Sequence, residues 1–378
     1  MACMTTRVIP GSPEQLSDEW LTSALREDGV LHQARVVAHT MQLAETQGAA
    51  AVVALLQLEY DPPEAGAPAS LVAKFASPYE PIRALMQVVG GYAREVEFYR
   101  CFGADPGIPT PRCYHAEIDA VTGLFVLLLE DLSECRVADH TAPSVEDTQL
   151  AVRHLAVFHA KWWNHPRLRD LPFLRYPGGP GDQTFLAMGR AALAAALPAA
   201  AERFGSALPA TLVTVAERII ANPDWAADAT NRLVESGVTL VHGDFHPGQL
   251  FFPSEAGGRF AVFDWQTVSA GNGGDDLARI IVSGLTAEQR EASEMRLITL
   301  YHALLLDHGV TGYGIDACWE GFRRGLLMNA MMNVVAAPNI DPDLADSAGV
   351  TMTEISDILF GRAAAAIEAH HVLDDLPA

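Results

Sequence analysis

Lysine is almost missing from this 378-residue chain: of 25 basic residues only Lys74 and Lys161 are lysine, and the rest are arginine. Positive charge of either kind is also short, because 47 Asp and Glu leave a formal charge of −22. A phosphate backbone needs a basic footprint, so this balance argues against a nucleic-acid partner. An acidic field attracts small cations, but it also simply keeps proteins soluble, so the charge names no substrate. Cysteine is sparse and odd in number. Cys3, Cys101, Cys113, Cys135 and Cys318 form no CxxC pair, which fits a reduced, cytoplasmic chain better than a disulfide framework. No run of roughly eighteen apolar residues marks a membrane partner, and the opening MACMTTRVIPGSPEQLSDEW lacks the apolar core of a secretory signal. No internal repeat is visible. With 49% apolar and 19% charged residues, the composition is that of a globular protein long enough for two or three lobes.

The scarcity of lysine makes Lys74 informative. It stands in Leu71-Val72-Ala73-Lys74-Phe75, an apolar strand pattern with one central charge. On an edge strand such a lysine only snorkels its ammonium to water. In a chain that otherwise uses arginine, it marks a place where a compact point charge fits and a planar guanidinium does not, such as between phosphates.

Turn residues and periodicity divide the chain in two. Ser12 as N-cap, with Pro13 at the first helical position, predicts a helix to about residue 27. Strands are expected over 34–44 and 50–60, then one carrying Lys74 after the Pro- and Gly-rich stretch 61–69. One helix over 81–103 and strands over 111–118 and 124–130 follow. Beyond Glu130-Asp131-Leu132 the spacing turns helical: 144–165, two or three helices in 181–235, then 286–308, 315–335 and 351–371. Thr286 and Gln289 have the spacing of a capping box. The expected fold is α+β and bilobal. Residues 1–130 form a small β-rich N-terminal lobe with one inserted helix, and residues 131–378 a larger, mostly helical lobe.

The densest chemistry lies in Val241-His242-Gly243-Asp244-Phe245-His246-Pro247-Gly248-Gln249 and in Phe263-Asp264-Trp265. Leu250 to Phe252 and Phe260 to Phe263 are apolar, with turn residues between them, which predicts a β-hairpin. Paired symmetrically, Gln249 would lie opposite Asp264, about 4.5–5.5 Å apart at Cβ. Two oxygen ligands at that spacing suit magnesium, which binds one or two protein groups plus substrate phosphates. Asp244 is then free to orient and deprotonate a hydroxyl, completing the parts of a phosphoryl transferase. The alternation of His242, Asp244 and His246 also admits a zinc site, and the whole stretch admits a polar loop capping a core hairpin. Glu95, on the helix after the lysine strand, is the expected partner of Lys74; Glu97 points to another face. Gly48, in the loop 45–49, suits a phosphate-covering turn or a plain hairpin turn. The hinge Glu130-Asp131-Leu132 offers backbone groups beside apolar walls, which suits an adenine ring. Trp265 reads as core packing, and Asp275 and Asp276 as caps of the helix that follows them, with a role behind the metal ligands as the alternative.

Together these residues resemble the aminoglycoside phosphotransferase and choline kinase family of protein-kinase-like enzymes. HGDFHPGQ is similar to the family's HGDxHxxN catalytic loop, FDWQ to its magnesium-binding aspartate motif, and LVAKF to its third strand. LLLEDL, LAVFHAKWW and REVEFYR look closest to the ecdysteroid-kinase-like branch, and the resemblance spans about residues 12 to 370. It implies a bilobal protein-kinase-like fold and an ATP- and Mg²⁺-dependent kinase acting on a hydroxyl of a small organic molecule, with GTP left open as donor. Asp244 would be the catalytic base, Asp264 the main metal ligand and Gln249 the second. Lys74, paired with Glu95, would contact the ATP phosphates, and the backbone of Glu130 and Leu132 would hold adenine. His242 would brace the loop. The family usually has Asn where this chain has Gln249; maltokinase-like relatives resemble it in using Gln. A kinase-fold protein that binds nucleotide but transfers nothing is the alternative. The acceptor, antibiotic or other metabolite, and the oligomeric state are not legible. Substrate contacts are expected from 181–235 and from the loop with Asp341, Asp343 and Asp346.

Overall fold

The computed structural model describes residues 8–44, 50–138, 143–340 and 351–377. They divide into two compact units, one of residues up to Cys135 with Pro253–Thr267, the other of Arg136–Phe252 with Val268 onward. The boundary expected after residue 130 therefore falls at Cys135, and a short later segment belongs to the first unit.

The first unit opens with α1 (Asp18–Glu27), capped by the Ser17 side chain, which accepts the Trp20 N–H at 3.1 Å. The start expected at Ser12 is corrected. Ser12 makes no side-chain cap bond, Pro13–Gln15 form one 3-10 turn, and extended Leu16 ends it. Strands β1 (Arg35–Leu43), β2 (Ala51–Asp61), β3 (Ser70–Ala76), β4 (Cys113–Ile118) and β5 (Phe125–Glu130) form a five-stranded antiparallel sheet in the order β1-β2-β3-β5-β4. Between β3 and β4 lie α2 (Glu80–Val88) and α3 (Gly91–Phe102). The single inserted helix expected over 81–103 is thus two, because Gly90 takes φ 71 and stops the first. On one sheet face Trp20, Leu21 and Leu25 of α1 pack with Leu56, Leu71, Ala73, Phe75, Val126 and Leu128. Strand alternation then turns Lys74 to the opposite face.

The second unit begins with β6 (Arg136–Val137), then α4 (Val145–Trp162), α5 (Arg167–Asp170), α6 (Asp182–Phe204), α7 (Ala210–Ala221) and α8 (Pro223–Ser236). Strands β7 (Thr239–Val241) and β8 (Leu250–Phe252) flank the HGDFHPGQ loop, and β8 pairs with β6. The chain then returns to the first unit with β9 (Ala261–Val262). There the Val262 N–H donates to the Pro109 carbonyl at 2.9 Å, and the Arg259 guanidinium to the Thr110 carbonyl at 2.9 Å. Trp265 stacks on Phe98 with ring centroids 3.8 Å apart. Both rings are fully buried, which is why this segment packs with the first unit.

Back in the second unit, β10 (Ser269–Gly271) pairs with β7, and α9 (Gly274–Gly284), α10 (Ala287–Asp307) and α11 (Ile315–Ala336) follow. The Thr286–Gln289 capping box forms as expected. The helix expected over 351–371 is built as α12 (Met352–Ser356), a π turn (Asp357–Gly361) and α13 (Arg362–Ala369). Among the described residues one helix, Asp182–Ala207, is long and apolar enough to cross a membrane by length and composition. Charged residues interrupt it, so it holds no run of eighteen apolar residues; alanine supplies its length, and it packs against α7 and α11.

Helices α9 and α11 approach through glycine. A Cβ on Gly325 would lie 2.5 Å from the Gly274 carbonyl oxygen and 2.8 Å from Ala278 Cβ. Gly325→Ala should therefore destabilise the protein by about 1–3 kcal/mol through overpacking. Gly189→Ala, in α6 with nothing within 4 Å of its Cβ position, should instead stabilise it by about 0.5–1 kcal/mol. Urea unfolding of both variants checks the contrast.

Candidate active site

In the first unit the candidate phosphate-binding group is a closed ionic cluster. The Lys74 ammonium donates to both oxygens of Glu95, at 2.8 and 2.7 Å, and to Asp264 Oδ1 at 3.1 Å. Lys74 is 8% exposed and Glu95 not at all. Burial alone would favour the neutral amine, but the charges of Asp264 and Glu95 outweigh it and hold Lys74 protonated. Glu97, the competing acid, pairs at the surface with Arg100 at 2.8 Å. The Gln266 amide donates to Glu95 at 3.3 Å, and Arg94 tethers the Gln266 carbonyl at 3.0 Å. Gln266 was not singled out by the sequence; only its place two residues after Asp264 pointed to it.

Asp264 adopts φ 63, a left-handed conformation that costs a non-glycine residue about 1–2 kcal/mol. Buried Trp265, stacked on Phe98, holds the turn there. The expected strand pairing of Gln249 with Asp264 is corrected. Gln249 closes the 3-10 turn Pro247–Gln249 before β8, and Asp264 lies beyond β9, so neither is a strand residue. The turn and the left-handed residue displace both from the ladder.

In the second unit the candidate base sits in a loop pinned by Asp276. Its carboxylate accepts the N–H of His242 at 2.6 Å and of Gly243 at 2.9 Å. Gly243 takes φ 83, so the loop needs a glycine there. The reading of Asp276 as a helix cap is thereby corrected, since Gly273 occupies that position in α9. Behind Asp276, buried His159 lies 3.3 Å away through Nε2, and its Nδ1 lies 2.7 Å from the Tyr301 hydroxyl. His242 Nδ1 accepts the Asp244 N–H at 3.2 Å, which is the bracing expected of it.

Asp244 itself is flanked by Arg279 and His246. Arg279 places Nε 3.0 Å and Nη2 2.9 Å from Oδ1, and His246 Nε2 lies 3.4 Å from Oδ2. Burial pushes this carboxyl up, but His246, Arg279 and His242 outweigh it and hold it well below the ordinary carboxylate range. Arg279 also donates to Asn333 on α11 at 2.7 Å. Neither Arg279 nor Asn333 is legible in the sequence, because their meeting depends on how α9 and α11 cross.

The hinge residues are already engaged. The Glu130 N–H donates to the Arg112 carbonyl at 2.8 Å, and its carboxylate takes Arg259 at 2.6 Å. The Leu132 carbonyl accepts the Cys135 N–H at 2.9 Å. Gly48, Asp341, Asp343 and Asp346 lie outside the described residues. Among the described residues no three His, Cys, Asp or Glu gather to hold a metal, so the zinc reading of 242–246 has no geometric support.

The model of the phosphotransferase enzyme family matches residues 64–311. The chain belongs to that family. An uncharacterized kinase-like protein of Caenorhabditis elegans is 26% identical over 224 residues, 57% of each chain. The chain thus spans little more than half of that curated relative. The choline kinase of Cryptosporidium parvum superposes with a TM-score of 0.53 at 9% identity, covering 89% of this chain and 90% of its own. A choline/ethanolamine kinase family protein of Mesorhizobium loti gives 0.45 at 16% identity, with 89% and 93% covered. The phosphotransferase resemblance and the α+β kinase-like fold expected from the motifs are both borne out.

Lys74→Met leaves Glu95 buried without its cation and should cost about 3–5 kcal/mol in urea unfolding; adding Glu95→Leu should recover part of it. Asp275 has a buried Oδ1 without a partner, and burial, then the neighbouring Asp276, push its carboxyl up to about 7. The native state holds that proton more tightly than the unfolded chain, so stability falls as pH rises from about 4 to 7. Asp275→Asn should raise the Tm at pH 7.5 and leave it nearly unchanged at pH 4.5.

Proposed function

We propose that this phosphotransferase uses ATP and magnesium to phosphorylate a hydroxyl group on a small organic molecule. The observation that carries the reading is Lys74. One of only two lysines in the chain, it is buried and held charged between two carboxylates. A structural ion pair needs one carboxylate; a second, on a strained turn, suits an ammonium that shares its charge with phosphate oxygens.

The donor chemistry fits a magnesium ion. In the first unit Asp264 supplies a carboxylate, a hard ligand, and magnesium takes few protein groups because phosphates and water complete its shell; Gln249, the second ligand the motif implies, offers an amide oxygen. When bound, the ion neutralises charge on the transferring phosphates. Lys74 would steady the nonreacting phosphate oxygens, with Glu95 fixing its direction. At Glu130 and Leu132 the adenine would have to use backbone groups other than the Glu130 N–H and the Leu132 carbonyl, which are bonded within the chain. Asp244 would accept a hydrogen bond from the acceptor hydroxyl and aim its oxygen at the γ-phosphorus. The new O–P bond forms as the bond to the leaving β-phosphate oxygen breaks, and the hydroxyl proton passes to Asp244 and then to water. So acidic a carboxylate is a weak base, so it serves mainly to orient the hydroxyl and takes the proton late, as suits a loose transition state.

The test is ATP consumption across a panel of hydroxylated compounds: aminoglycosides, macrolides, sugars, sterol-like alcohols and choline-like compounds. Asp244→Ala should lower turnover by about a thousandfold or more while ATP still binds; unchanged turnover removes Asp244 from the mechanism. Gln249→Asn, which keeps the amide oxygen, should retain activity. Nucleotide binding with no consumption on any acceptor would instead favour a nucleotide-binding protein that transfers nothing, the reading that Gln249 in place of the usual Asn supports.

A further inference from the structure

The two oxygens of Asp244 are held unequally. Both nearby nitrogens of Arg279, Nε at 3.0 Å and Nη2 at 2.9 Å, converge on the same oxygen, Oδ1. The other oxygen, Oδ2, has only the long contact to His246 Nε2 at 3.4 Å, weaker than the two short ones from Arg279. Arg279 is itself aimed. Its Nη1 donates to Asn333 Oδ1 at 2.7 Å, and the Asn333 amide nitrogen donates to the Leu359 carbonyl at 2.7 Å. Leu359 lies in the π turn Asp357–Gly361, which Arg362 ties to the rest of the unit by donating to the Ser283 carbonyl at 3.0 Å. Asn333 is 8% exposed, and the Arg279 side chain 15%. The glycine contact of Gly274 with Gly325 brings α9 and α11 close enough for these side chains to meet. The same pair of helices makes a second link one turn earlier, where the Asn329 amide donates to the Asp275 carbonyl at 2.9 Å.

We infer that Arg279 and Asn333 are positioning residues that lock the Asp244 carboxylate with Oδ1 occupied and Oδ2 presented to the acceptor hydroxyl. The inference rests on the reading of Asp244 as the acceptor-binding carboxylate. A guanidinium is planar and donates in a fixed fork, so it sets the orientation of the carboxylate as well as neutralising it. Asn333 fixes the plane of the guanidinium through an anchor on the C-terminal segment. An orientation error of this kind lowers the rate of the chemical step without weakening nucleotide binding. Charge compensation alone would ask less, since any cation at that distance would serve, lysine included.

Two measurements test it. With an acceptor that the wild-type protein phosphorylates, Arg279→Met should lower kcat about a hundredfold while the KM for ATP stays within about threefold. Arg279→Lys should recover thermal stability but stay about tenfold below wild-type kcat, and Asn333→Leu should lose about tenfold. Wild-type kcat in Arg279→Lys, or a loss confined to the KM for ATP, overturns the positioning role. The second measurement needs no acceptor: a cycle of Asp244→Asn, Arg279→Met and the double variant, read by urea unfolding. The double variant should be less destabilised than the sum of the single variants, by about tenfold in the unfolding constant. Additive effects overturn the inference whether or not an acceptor is found. A wild-type protein that phosphorylates nothing in the panel counts against the function reading, while the unfolding cycle still decides this one.

Discussion

The charge on Lys74 is the constraint around which the first unit is arranged. An ammonium on an interior strand, 8% exposed, is tolerable only with excellent partners, because desolvating an ion costs several kcal/mol. Glu95 and Asp264 supply them from two places. Glu95 comes from α3, whose start is set by Gly90. Asp264 comes from a segment that leaves the second unit for fifteen residues and returns. The stacked Trp265 and Phe98 explain why that segment stays. Their fully buried rings hold the left-handed turn that aims Asp264 at the ammonium. Hydrophobic packing here sustains a strained backbone and a buried ion pair at once.

The second unit answers the same problem in the opposite sense. There the charge is the half-buried anion of Asp244, with Arg279 and His246 beside it. The loop that carries it is set from behind by Asp276, whose carboxylate accepts two successive backbone N–H groups. Two charge-assisted bonds of this kind fix the carboxylate and the loop relative to each other. His159 and Tyr301 extend this support into the core, so buried groups help decide the loop conformation. The α9–α11 contact, with no side chain on Gly274 or Gly325, lets Arg279 and Asn333 complete the setting. In both units the candidate chemistry is thus presented by rigid helices and buried polar networks, as preorganised electrostatic sites require.

Much of this was legible in the residues. The lysine shortage singled out Lys74, helical spacing separated Glu95 from Glu97, and HGDFHPGQ with FDW marked Asp244 and Asp264. The five strands of the first unit and most of the later helices fell where alternation and periodicity put them, because both are local properties. Local conformations went astray where one residue outweighed the pattern. Gly90 split a helix that reads as continuous, and extended Leu16 delayed the first one. The 3-10 turn at Pro247 and the left-handed Asp264 took Gln249 and Asp264 out of a strand ladder that symmetry suggested. Asp276 looked like a helix cap because helix starts commonly carry acids, yet its carboxylate turned to backbone donors on a loop more than thirty residues earlier.

What the sequence determined by itself is the chemistry present and the kind of fold that carries it: one retained ammonium, two separated carboxylates, a β-rich unit and a helical one. Residue type and period encode these, and neither depends on distant parts of the chain. Only the tertiary structure decided which groups share a charge. The contact of Lys74 with Asp264 joins residues 190 apart in the chain, and that of Arg279 with Asn333 joins residues 54 apart. Such pairings follow from which apolar faces bury against one another, and that is set by packing, which local pattern does not record.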